Sequence, residues 1–161
     1  MLTLKASSSL EQKTTKMNEK DILSFDLIKA IKKANNQILK QENEIVKNYD
    51  LTTSQYGVLE CLYFKGDLCI NDLIERLIST SGTMTVIIKN LEKSGLVARK
   101  CNKKDRRSCV IALTNKGKKL VKKILPKRQA QANDFADTLS DAKKLKLLDL
   151  LYEFKKRYKG K

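Results

Sequence analysis

Four cysteines, a cluster of hydroxyls and two adjacent arginines are the residues of this 161-residue chain that have chemistry to offer. Histidine is absent. That removes Ser–His and Cys–His nucleophile pairs, an imidazole general base and imidazole metal ligands. The cysteines fall into two pairs, Cys61/Cys69 and Cys101/Cys109, each with seven residues between its members. Structural zinc sites use spacers of about two to four, so neither a metal nor another cofactor is expected. Ser79, Ser81 and Lys89 form the one nucleophile-and-amine grouping, but serines at a helix start read as caps, and the chain does not read as an enzyme. Cys61 follows Val58 at helical spacing and reads as core. Cys69, between Leu68 and Ile70, reads as core or a short strand. Cys101 and Cys109 differ, because a hairpin centred on Asp105 sets them opposite each other. Opposed residues of antiparallel strands lie about 4.5–5.5 Å apart at Cα, within disulfide reach. Arg99, Lys100, Lys103, Arg106 and Arg107 nearby favour the thiolate. Cys101 and Cys109 are therefore the redox candidates, whose oxidation would stiffen or distort the hairpin.

The charge is concentrated. The chain holds 34 basic and 18 acidic residues, a formal net charge of +16. Residues 1–85 are balanced, with 11 of each sign. Residues 86–128 carry 15 basic groups against Glu92 and Asp105 alone. Such a block marks a polyanion partner, with nucleic acid first. An anionic membrane surface fits less well, since the block includes a hairpin and has no amphipathic aromatic face. No run of 18 apolar residues offers a membrane-spanning helix. The opening stretch has no apolar core of a secretory signal, so reduced thiols in the cytoplasm, beside the nucleoid, are the expectation.

The elements follow from periodicity. Phe25, Ile28, Ile31, Ile38, Ile45 and Tyr49 recur at helical spacing and form a narrow seam on one long helix. Thr52 or Thr53 caps a second helix, which ends near Gly66. Asn71 caps a short third helix, with Leu73, Ile74 and Leu77 inward. The run Ser79 to Gly82 interrupts it, and a fourth helix spans about Thr83 to Lys93 with Met84, Ile87, Ile88 and Leu91 on one stripe. The period then becomes two, in Leu96–Lys100 and Cys109–Leu113, around a charged tip. Thr114 caps a fifth helix that Pro126 should kink or end. Ser140 caps a sixth, with a wide apolar face of Leu145, Leu148, Leu151, Tyr152 and Phe154.

Two short helices joined by a tight turn, the second with a polar outer face, make a helix-turn-helix, and the basic hairpin after them makes a wing. The outer face of the fourth helix offers Ser81, Gly82, Thr83, Thr85, Val86 and Lys89 to phosphates and base edges. The hairpin tip offers Lys103, Lys104, Asp105, Arg106 and Arg107, and a minor groove attracts arginine. The reading is mainly α with a small β-hairpin: a winged helix-turn-helix lobe plus long dimerisation helices. Its divisions are 1–20, a flexible segment; 21–50, a dimerisation helix; 51–114, the DNA-binding lobe; and 115–161, the C-terminal dimerisation helices. The seam of the first helix and the broad face of the sixth need more partner surface than one small lobe supplies, so a homodimer is expected. Double-stranded DNA is the expected partner. The alternative is a non-specific nucleic-acid-binding or architectural protein, which would lack a preference of ~10³ or more for one palindrome. Tyr49, Tyr56 and Tyr63 are candidates to line an apolar cleft.

From Leu51 to Gly117 the chain resembles the MarR family of bacterial transcription regulators. The residues that carry the likeness are Leu51-Thr-Thr-Ser-Gln-Tyr, Ser81-Gly-Thr-Met-Thr, Asn90-Leu-Glu-Lys-Ser-Gly-Leu-Val, Asp105-Arg-Arg and Leu113-Thr-Asn-Lys-Gly117. The resemblance implies an intertwined dimer whose recognition helices enter successive major grooves of a near-palindromic site. It places Thr83 and Thr85 at the groove and makes Arg107 the minor-groove arginine, oriented by Asp105. It also implies a repressor released by a small apolar or phenolic effector, or by thiol oxidation. Branches of the family that sense oxidants through a cysteine in the first helical region do not match, since no cysteine precedes Cys61.

Overall fold

The computed structural model describes residues 18–101 and 109–158. Its elements are α1 (Glu19–Lys47), α2 (Thr53–Lys65), β1 (Leu68–Cys69), α3 (Ile70–Leu77), α4 (Ser81–Lys93), β2 (Val97–Cys101), β3 (Cys109–Leu113), α5 (Asn115–Ala136) and α6 (Asp141–Tyr158). Residues up to Gln37 and residues from Ile38 onward form two separate compact units. In the first, Asn18 starts α1 by accepting the Asp21 N–H on Oδ1 at 2.9 Å. Glu19 and Asp21 complement the helix dipole there. Every residue from Asn18 to Ala30 is exposed, Phe25 at 58%.

The second unit has a continuous core of Val46, Val58, Leu59, Leu73, Met84, Ile88, Leu91, Ile111, Val121 and Ile124, with almost no solvent contact. Each such side chain contributes about 2 kcal/mol by leaving water. Thr52 opens α2 through a reciprocal capping box. Its hydroxyl oxygen accepts the Gln55 N–H at 3.2 Å, and Gln55 Oε1 accepts the Thr52 N–H at 2.9 Å. Gly66, at φ +82°, lets the chain leave α2 in a conformation costly for other residues.

Four expectations are corrected here. The hairpin belongs to a three-stranded antiparallel sheet of order β1-β3-β2, because Leu68 and Cys69 pair with Ile111 and Val110. That pairing ends β1 at Cys69, so Cys69 rather than Asn71 caps α3, its Sγ accepting the Asp72 N–H at 3.4 Å. Helix α4 begins at Ser81 rather than Thr83, because Thr80 Oγ1 accepts the Thr83 N–H at 3.2 Å and so draws Ser81 and Gly82 into the first turn. Pro126 neither ends α5 nor marks its boundary. It lies on the exposed side, as does Lys122, whose freed carbonyl can be hydrated, while Val121 and Ile124 hold the helix in the core.

The turn from α3 to α4 runs through Ile78 in the left-handed region, at φ +48° and ψ +54°. A β-branched residue there is under steric strain. Ile78 is also 94% exposed, so its side chain gains nothing from the core to offset that strain.

The exit of α4 is a Schellman motif. The Gly95 N–H bonds Glu92 O and the Leu96 N–H bonds Leu91 O, both at 2.9 Å, with Gly95 at φ +69°. Leu96 then turns its carbonyl toward the first turn of α5. A Cβ added at Gly117 would stand 2.1 Å from Leu96 O and 3.1 Å from Leu113 Cδ2. Glycine is required at 117 for this approach and not for its dihedrals. Gly117→Ala is expected to destabilise the lobe by about 2 kcal/mol or more. In a thermal melt that is a fall in midpoint of about 4–8 °C, whereas an unchanged midpoint would show that β2 and α5 can separate freely.

Candidate nucleic-acid interface

Helix α4 is sorted cleanly by burial. Met84, Ile87, Ile88 and Leu91 are buried, while Ser81, Gly82, Thr83, Thr85, Val86, Lys89 and Lys93 are exposed. The cap leaves the Ser81 and Gly82 N–H groups at the head of the helix as first-turn donors that no helical carbonyl can take. No acidic residue lies in that turn, so the positive end of the helix dipole faces outward uncompensated. The hydroxyls have defined directions. Thr80 Oγ1 donates to Thr83 Oγ1 at 2.9 Å, and Thr85 Oγ1 donates to the Ser81 carbonyl at 2.8 Å. The Thr85 hydroxyl thus presents its lone pairs and methyl group outward. Val86, 59% exposed, adds an apolar contact of the kind a thymine methyl accepts.

The wing is tied to the far end of this helix. Thr114 Oγ1 donates to Gly95 O at 2.7 Å while accepting the Gly117 N–H at 3.1 Å, so one hydroxyl joins the exit of α4 to the start of α5. Lys116 Nζ donates to Ser94 O at 2.8 Å, a cation at the negative end of α4. Strands β2 and β3 pair from Val97↔Leu113 to Cys101↔Cys109. Lys103, Lys104, Asp105, Arg106 and Arg107 lie outside the described residues. Two of the basic groups named for the thiolate are already paired. Arg99 Nε donates to both oxygens of Glu92 at 3.1 and 3.2 Å, and Lys100 Nζ bonds Asp67 at 2.8 Å.

Cys61 and Cys69 are free thiols and Cys109 is disulfide-bonded. Burial pushes the Cys61 thiol up, with Arg76 and Lys65 opposing that shift, so it is a poor nucleophile.

The three tyrosines have different surroundings. Tyr56 is core, only 3% exposed, under the guanidinium of Arg128 at 5.9 Å. Burial, then the Glu60 carboxylate, push its phenol well above the usual range. Tyr49 lies beneath Lys123 and Lys127 at 5.5 and 5.4 Å. Tyr63 stacks edge-on with Phe64 at 5.3 Å and borders a depression of about 300 Å³ with Leu62, Leu113 and Lys118. A different cavity, of about 270 Å³, is lined by Leu39, Glu42, Gly57, Leu77, Ile78 and Met84 among others. It touches both the strained turn and the inner stripe of α4. Arg128, bonded to Glu42 and to Gln131, closes a half-buried polar cluster near its Glu42 wall. Sequence reading missed this cavity and the Arg128–Glu42 pair, because their residues are far apart along the chain and share no period. Among the described residues no group of His, Cys, Asp and Glu is arranged to hold a metal ion, and no helix is long and apolar enough to cross a membrane.

Comparison with known proteins follows the same lines. The family described as Transcriptional regulator SarA/Rot matches residues 40–124. The HTH-type transcriptional regulator MhqR of Bacillus subtilis is 30% identical over 118 residues, covering 73% of this chain and 81% of that one. Among solved structures, a MarR family protein from Bacillus stearothermophilus is 27% identical, with a TM-score of 0.62 over 89% of this chain and 99% of the other. MepR of S. aureus, solved as a complex with DNA, shares the fold at a TM-score of 0.73 and 22% identity, over 80% of this chain and 95% of that one.

Thr80→Ala is expected to lower stability by about 1 kcal/mol through loss of the α4 cap. Thr85→Ala, at an exposed position, is expected to change it by less than about 0.5 kcal/mol. Urea titrations of both variants check the contrast, and equal losses would show that the cap does not set the start of α4.

Proposed function

The chain belongs to the SarA/Rot family of MarR-like winged-helix transcriptional regulators, and on that premise we propose that it acts as a homodimeric, effector-responsive repressor of a near-palindromic operator. One observation carries the reading. Helix α4 buries one stripe, turns a face of hydroxyls, glycine, Val86 and Lys89 to solvent, and is joined near its far end, through Glu92 and Arg99, to a wing whose tip sequence is Lys103-Lys104-Asp105-Arg106-Arg107. In the major groove, Thr83, Thr85 and Val86 read base edges and methyl groups, while Ser81, Gly82 and Lys89 take phosphates. Arg107 enters the minor groove, with Asp105 orienting it.

The dimer has its own support. Among the described residues of α6 none is buried, and Leu145, Leu148, Leu151, Tyr152 and Phe154 are all exposed, Leu145 at 65%. Helix α1 separately exposes Ile22, Leu23, Phe25, Leu27 and Ile28. Runs of exposed apolar side chains on this scale mark surfaces that a partner covers, and a second copy supplies two recognition helices related by a two-fold axis. The effector takes the 270 Å³ cavity beside Leu77, Ile78 and Met84, where a bound apolar molecule would press on both the turn and the recognition helix. The three tyrosines play no joint part in it.

Selection of bound fragments from a random DNA pool tests operator and stoichiometry together. A two-fold symmetric consensus, preferred ~10³-fold or more over random sequence, is expected; enrichment without symmetry would favour a non-specific architectural protein. On the selected fragment, Arg107→Ala and Thr85→Ala are each expected to weaken binding by about tenfold or more, as loss of a good base or groove contact costs ~1–3 kcal/mol. The helical signal and the dimer should be unchanged, and wild-type affinity in both variants would remove α4 and the wing from the contact surface.

A further inference from the structure

From Asn115 to Lys127 every exposed residue of α5 except Asn115 and Pro126 is a lysine: Lys116, Lys118, Lys119, Lys122, Lys123 and Lys127. At about 100° per residue they cover half the circumference of the helix. Gly117, Val121 and Ile124 hold the opposite side in the core. No acidic residue of α5 comes before Asp134. Elsewhere Lys29, Arg99, Lys100, Arg128 and Lys144 each bond a carboxylate. Among the described residues no carboxylate stands within ion-pairing distance of Lys118, Lys119 or Lys122.

The face is electrostatically incomplete. Lys118 and Lys122, Lys119 and Lys123, and Lys123 and Lys127 are like charges four residues apart, and each such pair is unfavourable on a bare helix. Lys123 and Lys127 also meet over one ring, Tyr49, at 5.5 and 5.4 Å. The ring holds both ammonium groups without neutralising either. A merely solvated face mixes the two signs, whereas a face of mutually repelling cations is completed by an anion lying along it. Resting on the proposed function, we infer that the lysine face of α5 is a second DNA surface, which grips the phosphate backbone of the duplex flanking the operator without reading its sequence.

The position of the face fits a flank. Lys93 is exposed in the last turn of α4, and Lys116 Nζ sits on the Ser94 carbonyl just beyond it, so the basic surface of α4 passes directly into that of α5. Lys118 to Lys127 then spans about 13 Å of helix. A duplex carries one phosphate per about 1.7 Å of its axis, so on the order of eight lie along that length. A lysine ammonium on its flexible stem meets phosphate as a point charge and needs no base edge. The face stands at the root of the wing, at the opposite end of the β2–β3 ladder from Cys101 and Cys109. A duplex that follows α4 into the wing therefore reaches α5 by bending back toward the root, and the lysine contacts offset the cost of that bend. Because the flank is joined to a bound operator, it meets the face at a far higher effective concentration than a free duplex does.

Full-length protein is titrated with the selected operator on a duplex trimmed to the consensus and on one extended by ~20 base pairs at each side. Contacts of Lys118, Lys119 and Lys122 with three phosphates make the slope of log affinity against log salt steeper on the longer duplex by about 3. An advantage of about fortyfold at ~50 mM salt then falls to parity near ~200 mM. Lys118→Gln, Lys119→Gln and Lys122→Gln combined should leave binding to the short duplex unchanged and remove the advantage of the longer one, and the corresponding three arginine substitutions should keep it. Equal affinity of the wild type for the two duplexes, or an equal loss on both in the glutamine variant, would overturn the inference. So would an equal gain from the flank added as a separate duplex, which would assign the face to a second DNA molecule. A further readout does not depend on the operator. Acetylation by an N-hydroxysuccinimide ester is expected to be several-fold slower at Lys118, Lys119 and Lys122 when a long random-sequence duplex is bound, with Lys143 and Lys146 of α6 unchanged. If no symmetric operator is selected, the operator reading fails while this protection still decides the lysine face, and its absence would overturn the inference.

Discussion

The lobe depends on one close approach, the Leu96 carbonyl against the Cα of Gly117. Three constraints meet at that carbonyl. The Schellman exit of α4 delivers it, β2 begins immediately after it, and α5 can pass beneath it only because residue 117 has no side chain. The Thr114 hydroxyl bridges the same two segments, and Lys116 reaches back to the last turn of α4. Recognition helix, wing root and the start of α5 are therefore one rigid junction. A disturbance of α4 at its buried stripe is therefore carried to the root of the wing.

Around this junction the chain separates its tasks by burial rather than by length. The residues that determine geometry are apolar and sealed, and those on the exposed face of α4 are mostly short, hydroxylic or cationic. The described outer faces of α1 and α6 are rich in exposed leucine and other apolar side chains. The first half of α5 serves the core of the lobe through Val121 and Ile124, while none of the described residues of α6 is buried. Helix α5 runs unbroken through Pro126 between these two regimes.

Much of this was legible in local pattern. The inward stripe of α4, the Thr52 and Thr114 caps and the two strands each depend on residues within a few positions of one another, so spacing alone reveals them. What spacing missed depends on partners distant in the chain. Strand β1, one of the two readings open at Cys69, is only two residues long, and its pairing with β3 decides for a strand. Its end at Cys69 then displaces the α3 cap from Asn71. Pro126 signals an end to α5, yet the helix continues past it, with Val121 and Ile124 buried in the core on its other side. The Arg128–Glu42 pair joins residues 86 positions apart. Aromatic character points equally to core and to cleft at Tyr49, Tyr56 and Tyr63, and burial assigns Tyr56 to the core.

The ion pairs at Arg99 and Lys100 bear on how the formal charge of +16 is spent. Each of these cations already has a protein carboxylate as its counterion, Glu92 and Asp67 respectively. The entropy that drives a basic protein onto DNA comes from small ions freed from the phosphates that its cations neutralise. A cation bound to its own chain frees none unless that bridge first breaks. The steepness with which added salt dissolves the complex therefore counts only the unpaired lysines and arginines that reach phosphate, a smaller number than the net charge of the basic block.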